Sequence, residues 1–198
     1  MTLKEFFSNL LERIGPMEAL EILLKEHGLI WRFLDILRLG VEKLEEGERP
    51  PVEFFENAIE FARKFSDKYH HFKEEYLLFN LLARKENGRM DAQIDSLRYL
   101  HERGRTLIQG LAQSLEGYSQ GREAQTIAIL ENMAAYISLL RQHIHKEDHI
   151  FFLMAAKEIS EKEDAELVEA FIREEEKMGG NALANSSKLL EEMDELLS

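Results

Sequence analysis

Histidines are the residues of this sequence whose types and spacing could do chemistry. The chain has 198 residues and seven histidines, and several of these recur at matching distances. Shifting the sequence until His70 falls on His143 superimposes one His-x-x-x-Glu motif on a second, and a single histidine precedes each motif at a similar distance. The repeated residues are four histidines and two glutamates: His27, His70, Glu74, His101, His143 and Glu147.

The spacing within each motif has a structural meaning. Residues four apart lie one above the other on the same face of a helix, so His70 and Glu74 point the same way, as do His143 and Glu147. Leucine and isoleucine residues share the helical stripe of most of these histidines. We therefore expect all six side chains to converge inside a helical bundle.

Six ionisable groups in an apolar interior would be costly unless they were paired. A metal removes that cost, and imidazole with carboxylate suits iron, manganese or zinc. Two carboxylates on opposing helices can each bridge two metals, with the histidines as terminal ligands. Such a centre keeps open positions for water, hydroxide, O2 or NO.

The elements that must position these residues are all helical. Leu, Glu, Lys, Ala and Arg dominate, and apolar residues recur at helical spacing. Short connections between long helices favour antiparallel neighbours. We predict an all-α fold, an up-down-up-down antiparallel four-helix bundle with extra N-terminal and C-terminal helices. The predicted helices cover residues 3–13, 16–46, 52–85, 91–116, 122–158 and 164–197, the last interrupted at Gly179-Gly180.

We predict a single domain over residues 1–198. Its core bundle covers residues 17–158, and a C-terminal helical extension covers residues 162–198. The extension either packs over the bundle or makes a dimer contact, and the sequence leaves both open.

Charge and composition exclude several kinds of function. The chain has 25 Lys and Arg against 38 Asp and Glu, a net charge of −13, which argues against a nucleic-acid partner. It has no cysteine, which excludes disulfides, thiolate metal sites and cysteine nucleophiles. No apolar run reaches the roughly 18 residues of a membrane span. We expect no membrane association and a cytoplasmic location.

The motifs and their flanking residues resemble the hemerythrin-like family, also called HHE cation-binding domains. The matching segments are Lys-Glu-His, His-His-Phe-Lys-Glu-Glu-Tyr-Leu-Leu-Phe, His-Glu-Arg-Gly-Arg and His-Ile-His-Lys-Glu-Asp, and the resemblance covers residues 17–158. It implies two iron ions with oxo or hydroxo and carboxylate bridges. The implied ligands are His27, His70, His101 and His143, with Glu74 and Glu147 bridging.

One position departs from the oxygen-carrying members of that family. They have a second histidine four residues after the third-helix histidine, where this chain has Arg105. This argues against reversible O2 storage and favours relatives that bind or sense O2, NO or peroxide. His71 is the best candidate to replace the missing ligand; otherwise it is partly exposed or lies behind the ligands. Asp148 has the oxygen carriers' His-x4-Asp spacing, but the internal repeat favours Glu147 as the bridge.

Other functions stay open. The chain could be a di-iron oxidase or peroxidase, an iron storage or delivery protein, or a zinc- or manganese-binding structural module. We favour a metal-binding or sensor protein over an enzyme, with a diatomic molecule or peroxide as ligand and a second copy or a signalling protein as partner. Glu75 and Asp148 are predicted behind the ligands or on the surface, and Lys73 and Lys146 are predicted on the surface.

Overall fold

The structure is a computed structural model and describes residues 14–85 and 88–198. The helix predicted over residues 3–13 lies outside the described residues. The described residues form helices and no strand, which confirms the all-α prediction. The helices are α1 (Glu18–Glu45), α2 (52–83), α3 (Asp91–Ser119), α4 (123–158), α5 (Glu161–Lys177) and α6 (Ala182–Glu195).

Helices α1 to α4 form the predicted antiparallel bundle. One apolar cluster joins the second half of α1 to the first half of α2, the second half of α3 and the first half of α4. A second cluster joins the opposite halves of the same four helices. This alternation requires each helix to run opposite to its neighbours. The polar residues at mid-bundle lie between the two clusters.

Short turns connect these helices. Gly47 has a φ of +85° before α2, and Gly121 has a φ of +76° between α3 and α4. Glycine adopts this left-handed backbone without the steric penalty that a Cβ atom brings. Pro51 occupies the N-cap of α2 with a φ of −62°, close to the value that its ring imposes. The turns let successive helices reverse direction within a few residues.

Helices α2 and α4 change their winding where they carry the His-x-x-x-Glu motifs. The backbone N–H groups of Phe72 and Phe152 donate to carbonyls five residues earlier, at Asp67 and Glu147, which is the π-helical pattern. Such wide turns are rare and occur often at functional sites. The uniform α-helical spacing that the sequence predicts is therefore wrong in detail. The π segments are Ala62–His71 and Lys73–Leu78 in α2, and Glu147–Phe151 in α4.

The C-terminal extension packs along the bundle as one broken helix. Gly179 and Gly180 have φ values of +95° and +71°, which end α5 before α6 begins. At the start of α5, Asp164 accepts a hydrogen bond from the backbone N–H of Glu18, the first residue of α1. At the far end, Leu197 lies beside the last turns of α1. Helices α5 and α6 thus follow α1 in the same direction. No helix among the described residues combines the length and hydropathy needed to cross a membrane.

Candidate metal centre

The structure brings all six predicted site residues together at mid-bundle. None of their side chains is more than 1% exposed to solvent. They lie between the two apolar clusters, with one histidine on each of α1 to α4. The six residues are His27, His70, Glu74, His101, His143 and Glu147.

One half of the centre is the His27 group, which we define as His27, His70 and Glu74. Each residue offers a ligand atom, and these atoms lie within 4.8 Å of one another. The Glu74 Oε1 atom is 3.6 Å from Nε2 of His70 and 4.0 Å from Nε2 of His27. Two imidazole nitrogens and one carboxylate oxygen therefore face a common point.

The other half is the His71 group, which we define as His71, Glu74, His101 and His143. Its ligand atoms also lie within 4.8 Å of one another. The Glu74 Oε2 atom is 3.5 Å from Nε2 of His101. Glu74 therefore belongs to both groups through different oxygens. His71 is buried, with 4% exposure, so the interpretation as a partly exposed residue is wrong.

Glu147 reaches both groups as well. Its Oε2 atom is 3.0 Å from Nε2 of His143 and 3.5 Å from Nε2 of His27. Its Oε1 atom is 4.0 Å from Nε2 of His101. Each glutamate therefore has oxygens within 4.0 Å of imidazole nitrogens from both groups.

The donor atoms fit metal ions. Two ligands bound at about 2.0–2.2 Å lie roughly 3.0–3.5 Å apart at the usual coordination angles, and several donor pairs here have that spacing. Nε2 of His27, Nε2 of His70 and both oxygens of each glutamate have no hydrogen-bond partner among the described residues. Orphaned buried polar atoms are destabilising. Cations at this point would satisfy them.

Burial and neighbouring charges shift the pKa values of a glutamate and two histidines of the centre. Burial, and then the neighbouring Glu147, hold the pKa of Glu74 well above its usual value. Burial opposes protonation of His27, yet Asp148 and Glu147 raise its pKa well above the usual value. Burial lowers the pKa of His143 to about 4, so this imidazole is neutral near pH 7 and can bind a metal.

Carboxylates behind the ligands hold two of the imidazoles. Asp148 Oδ1 lies 2.7 Å from Nδ1 of His27, and Glu75 Oε1 lies 2.6 Å from Nδ1 of His101. We call α1–α2 the first hairpin and α3–α4 the second hairpin. These bonds cross between the two hairpins and follow the internal repeat, because Glu75 and Asp148 directly follow the equivalent Glu74 and Glu147. Each leaves Nε2 to face the centre, as carboxylates do behind metal-bound histidines. The sequence left both acids either behind the predicted ligands or on the surface, and the structure places both behind them.

Aromatic rings repeat the same cross-hairpin arrangement. The ring of Phe152 stacks on His27 at 5.6 Å between centroids, and the ring of Phe79 stacks on His101 at 6.1 Å. Phe79 and Phe152 are also equivalent positions of the repeat, each five residues after the glutamate of its motif. Both phenylalanines are fully buried, so they close one end of the centre with apolar surface.

The two remaining imidazoles are held unequally. His70 Nδ1 lies 2.9 Å from Oε2 of Glu26, whereas His143 Nδ1 has no hydrogen-bond partner among the described residues. The residue of the second hairpin that corresponds to Glu26 is Leu100, which cannot accept a hydrogen bond through its side chain. The repeat therefore holds for the predicted ligands and fails for this support.

Lys73 lies in the interior, so the prediction that places it on the surface is wrong. The sequence predicts it on the surface, but it is 1% exposed, and its Nζ atom lies 2.5 Å from Oε1 of Glu26. The cause is α5, which covers this face of α2 and places Phe171 over the ammonium group at 5.5 Å from the ring centroid. Lys146, at the corresponding position of the other hairpin, is exposed as predicted.

Sequence reasoning missed Glu26 although a signal for it existed. Glu26 lies three residues after Leu23 and four residues before Ile30, so it shares their apolar helix face. A carboxylate on such a face needs a buried partner. Burial raises the pKa of Glu26 to about 7, and Lys73 limits that rise.

A cavity of about 400 Å³ opens beside the His71 group. Arg105 lines it and is held by Asp67 and Glu75, each 2.7 Å from one guanidinium nitrogen. His71 and Tyr136 also line the cavity, so it reaches a residue of the centre itself. Burial raises the pKa of Tyr136, which keeps its hydroxyl protonated as a donor. Of the other histidines, His145 is exposed and His149 half-buried, both outside the centre.

Comparison with known proteins agrees with this geometry. A family model described as Hemerythrin HHE cation binding domain matches residues 18–155. Uncharacterized proteins of Mycobacterium bovis and Mycobacterium tuberculosis are each 28% identical to the chain over 171 residues. The match covers 86% of this chain but 66% of those relatives, so the chain spans slightly less than two thirds of their length. No solved structure matches the chain significantly.

Proposed function

We propose, from the premise that this chain belongs to the hemerythrin HHE cation-binding family, that it is a di-iron protein which binds or senses O2, NO or peroxide. The observation that carries the proposal is the sharing of Glu74 between two groups of ligand atoms. One carboxylate with an oxygen in each group is what two neighbouring metal ions need. Imidazole and carboxylate donors suit iron, although they also suit manganese and zinc.

In this proposal His27 and His70 would hold one iron. His101 and His143 would hold the other, with His71 as a third imidazole, and Glu74 and Glu147 would be ligands shared by the pair. His71 would thereby replace the histidine that oxygen carriers have where this chain has Arg105. When bound, the iron pair would supply open coordination positions and electrons for a small molecule.

The residues around the pair support that chemistry. Asp148 and Glu75 would keep the imidazoles of His27 and His101 oriented and make them stronger ligands. The cavity at His71 would admit a small molecule, and the hydroxyl of Tyr136 could donate to it there. We also propose a cytoplasmic location, with a second copy of this chain or a signalling protein as partner.

The test is the metal content and spectrum of protein purified without air. We expect about two irons per chain and a new near-ultraviolet and visible band after exposure to air, peroxide or NO. A matched control is the His145→Ala variant, because this histidine is exposed and outside the centre. Zinc in place of iron, or no metal with an unchanged fold, would contradict the proposal.

The same experiment separates the alternatives. Consumption of many peroxide or NO molecules per chain would indicate an enzyme rather than a sensor. Iron that weak chelators remove quickly would indicate storage or delivery. Stoichiometric binding without turnover, in protein that retains its iron, is the outcome that the proposal requires.

A further inference from the structure

The last two helices reach one residue of the centre through a series of polar contacts that are partly buried at Glu175 and fully buried at Lys73 and Glu26. Glu175, near the end of α5, accepts a hydrogen bond of 2.9 Å from the backbone N–H of Ala182, the first residue of α6. The other carboxylate oxygen of Glu175 accepts a hydrogen bond from the hydroxyl of Tyr69 on α2. Nζ of Lys73 lies 3.4 Å from the centroid of the Tyr69 ring. Helices α5 and α6 are thereby connected to the α2 segment that contains His70.

From Lys73 the contacts continue into α1. Its ammonium group pairs with Oε1 of Glu26, whose other oxygen pairs with Nδ1 of His70. Lys73 and Glu26 are each 1% exposed. A buried ion pair contributes little net stability because both charges lose their hydration. Through Glu26, however, the pair contacts Nδ1 of His70 directly.

The second hairpin supplies an internal reference that lacks this arrangement. Leu100 replaces Glu26, Lys146 is exposed, and Nδ1 of His143 has no hydrogen-bond partner in the described part of the chain. Because Lys146 is exposed, neither α5 nor α6 covers its side chain as α5 covers Lys73. The support behind His70 therefore occurs only in the hairpin against which α5 packs.

We propose that Lys73 and Glu26 are positioning residues for the metal of the His27 group, and that binding of this metal and docking of α5 and α6 stabilise each other. Lys73 holds Glu26, Glu26 holds His70, and Lys73 in turn depends on the cover that α5 provides. Coupling between two sites acts equally in both directions. The inference rests on the metal-binding part of the proposed function, and it depends neither on the identity of the metal nor on the small molecule.

The test titrates the metal-free full chain with Co²⁺ alone, without air. Cobalt absorption measures both metal affinities, and hydrogen exchange of residues 161–195 measures the docking of α5 and α6. In the wild type and in the Lys146→Met control, we expect about two equivalents of cobalt and slower exchange in α5 after metal binding. In Lys73→Met, one of the two affinities falls by about 10–100-fold, and exchange in α5 no longer responds to the metal.

A second variant controls for misfolding. It is needed because Lys73→Met leaves the carboxylate of Glu26 buried without its lysine partner. The double variant Glu26→Gln/Lys73→Met removes both charges, and its helix content can be checked by circular dichroism. We expect it to lose the link between metal binding and α5 as well. Wild-type affinities together with metal-dependent protection of α5, in either variant, would overturn the inference. A wild type that binds two cobalt ions but whose iron form reacts with none of O2, NO and peroxide contradicts only the proposed function.

Discussion

In the α1–α2 hairpin, a buried acid and a buried lysine stand behind the second-helix histidine, and a broken helix covers them. In the α3–α4 hairpin, the same histidine position has no such support among the described residues, and the equivalent lysine faces solvent. The first hairpin also contributes His71, where the second has Ile144, which packs in an apolar cluster. Both hairpins nevertheless present one histidine and one His-x-x-x-Glu motif to the same centre.

The difference between the hairpins distinguishes two sets of residues, those that repeat in both hairpins and those that occur in one. Residues that repeat between the two hairpins form the centre and its cross-hairpin supports. Residues that do not repeat make the two halves of that centre unequal. We therefore expect two metal positions with related ligands but different affinities and different access to solvent.

Removing a shared carboxylate should weaken metal binding in both halves of the centre. This is the largest effect we expect. Glu74→Ala deletes oxygens that face both groups, so both metals should bind at least ~100-fold more weakly, the upper range for loss of an outer partner. His101→Ala deletes a nitrogen of the His71 group alone and should spare the metal of the His27 group. Metal content per chain by elemental analysis measures both. A Glu74→Ala protein that keeps one metal at full occupancy would show that the carboxylate is not shared.

Making the first hairpin resemble the second should have a smaller, one-sided effect. His71→Ile introduces the side-chain type of position 144. It should weaken the metal of the His71 group by at least about 10-fold while leaving the affinity of the His27 group unchanged. Competition with a coloured chelator measures the two affinities, and His145→Ala serves as the histidine control. Equal affinities in His71→Ile and wild type would mean that His71 does not bind metal.

Lowering the pH should slightly weaken the packing of α5 on the first hairpin. This is the smallest effect we expect. Lys85, and then Ser160, lower the pKa of Glu163 at the start of α5 from 4.5 to about 2. The folded protein then binds fewer protons than the unfolded chain between these values, so stability is present above pH 4.5 and is lost as pH falls towards 2. Because the Glu163 side chain is 25% exposed, we expect less than ~1 kcal/mol.

Urea unfolding at pH 5 and pH 3 checks this expectation. The wild type should lose more free energy of unfolding between the two pH values than Glu163→Gln, which cannot titrate at this position. An identical pH dependence in the two proteins would show that the ion pair with Lys85 adds nothing.

Much of the centre could be predicted from the sequence because helical period and internal repeat are local patterns. They place His27 and Glu147 in one interior although these residues belong to the first and the last of the four bundle helices. They also predict the fourth bundle helix over 122–158, and the structure has it over 123–158. A face that is apolar at helical spacing must be buried, whatever it packs against.

The rest depends on contacts that no local pattern encodes. Lys73 is buried only because α5 passes over it, and nothing near position 73 indicates where a helix that begins at position 161 will dock. The π segments of α2 likewise have no counterpart in the sequence pattern, which predicts a uniform helix. The break at Gly179-Gly180 is visible in the sequence, but whether the chain reverses or continues there depends on the surface of α1.

The first helix of the bundle lacks an N-terminal cap of its own. Met17 stands at its N-cap and makes no side-chain cap; instead Asp164, far along the chain, accepts the N–H of Ala19 at 3.0 Å. At a synthesis rate of about 5–20 residues per second, the intervening chain takes roughly 7 to 30 s to appear. During that interval the backbone N–H groups of Glu18 and Ala19 lack the carboxylate that accepts from them in the folded protein. The N-terminal cap of α1 is therefore completed only after residue 164 has been synthesised.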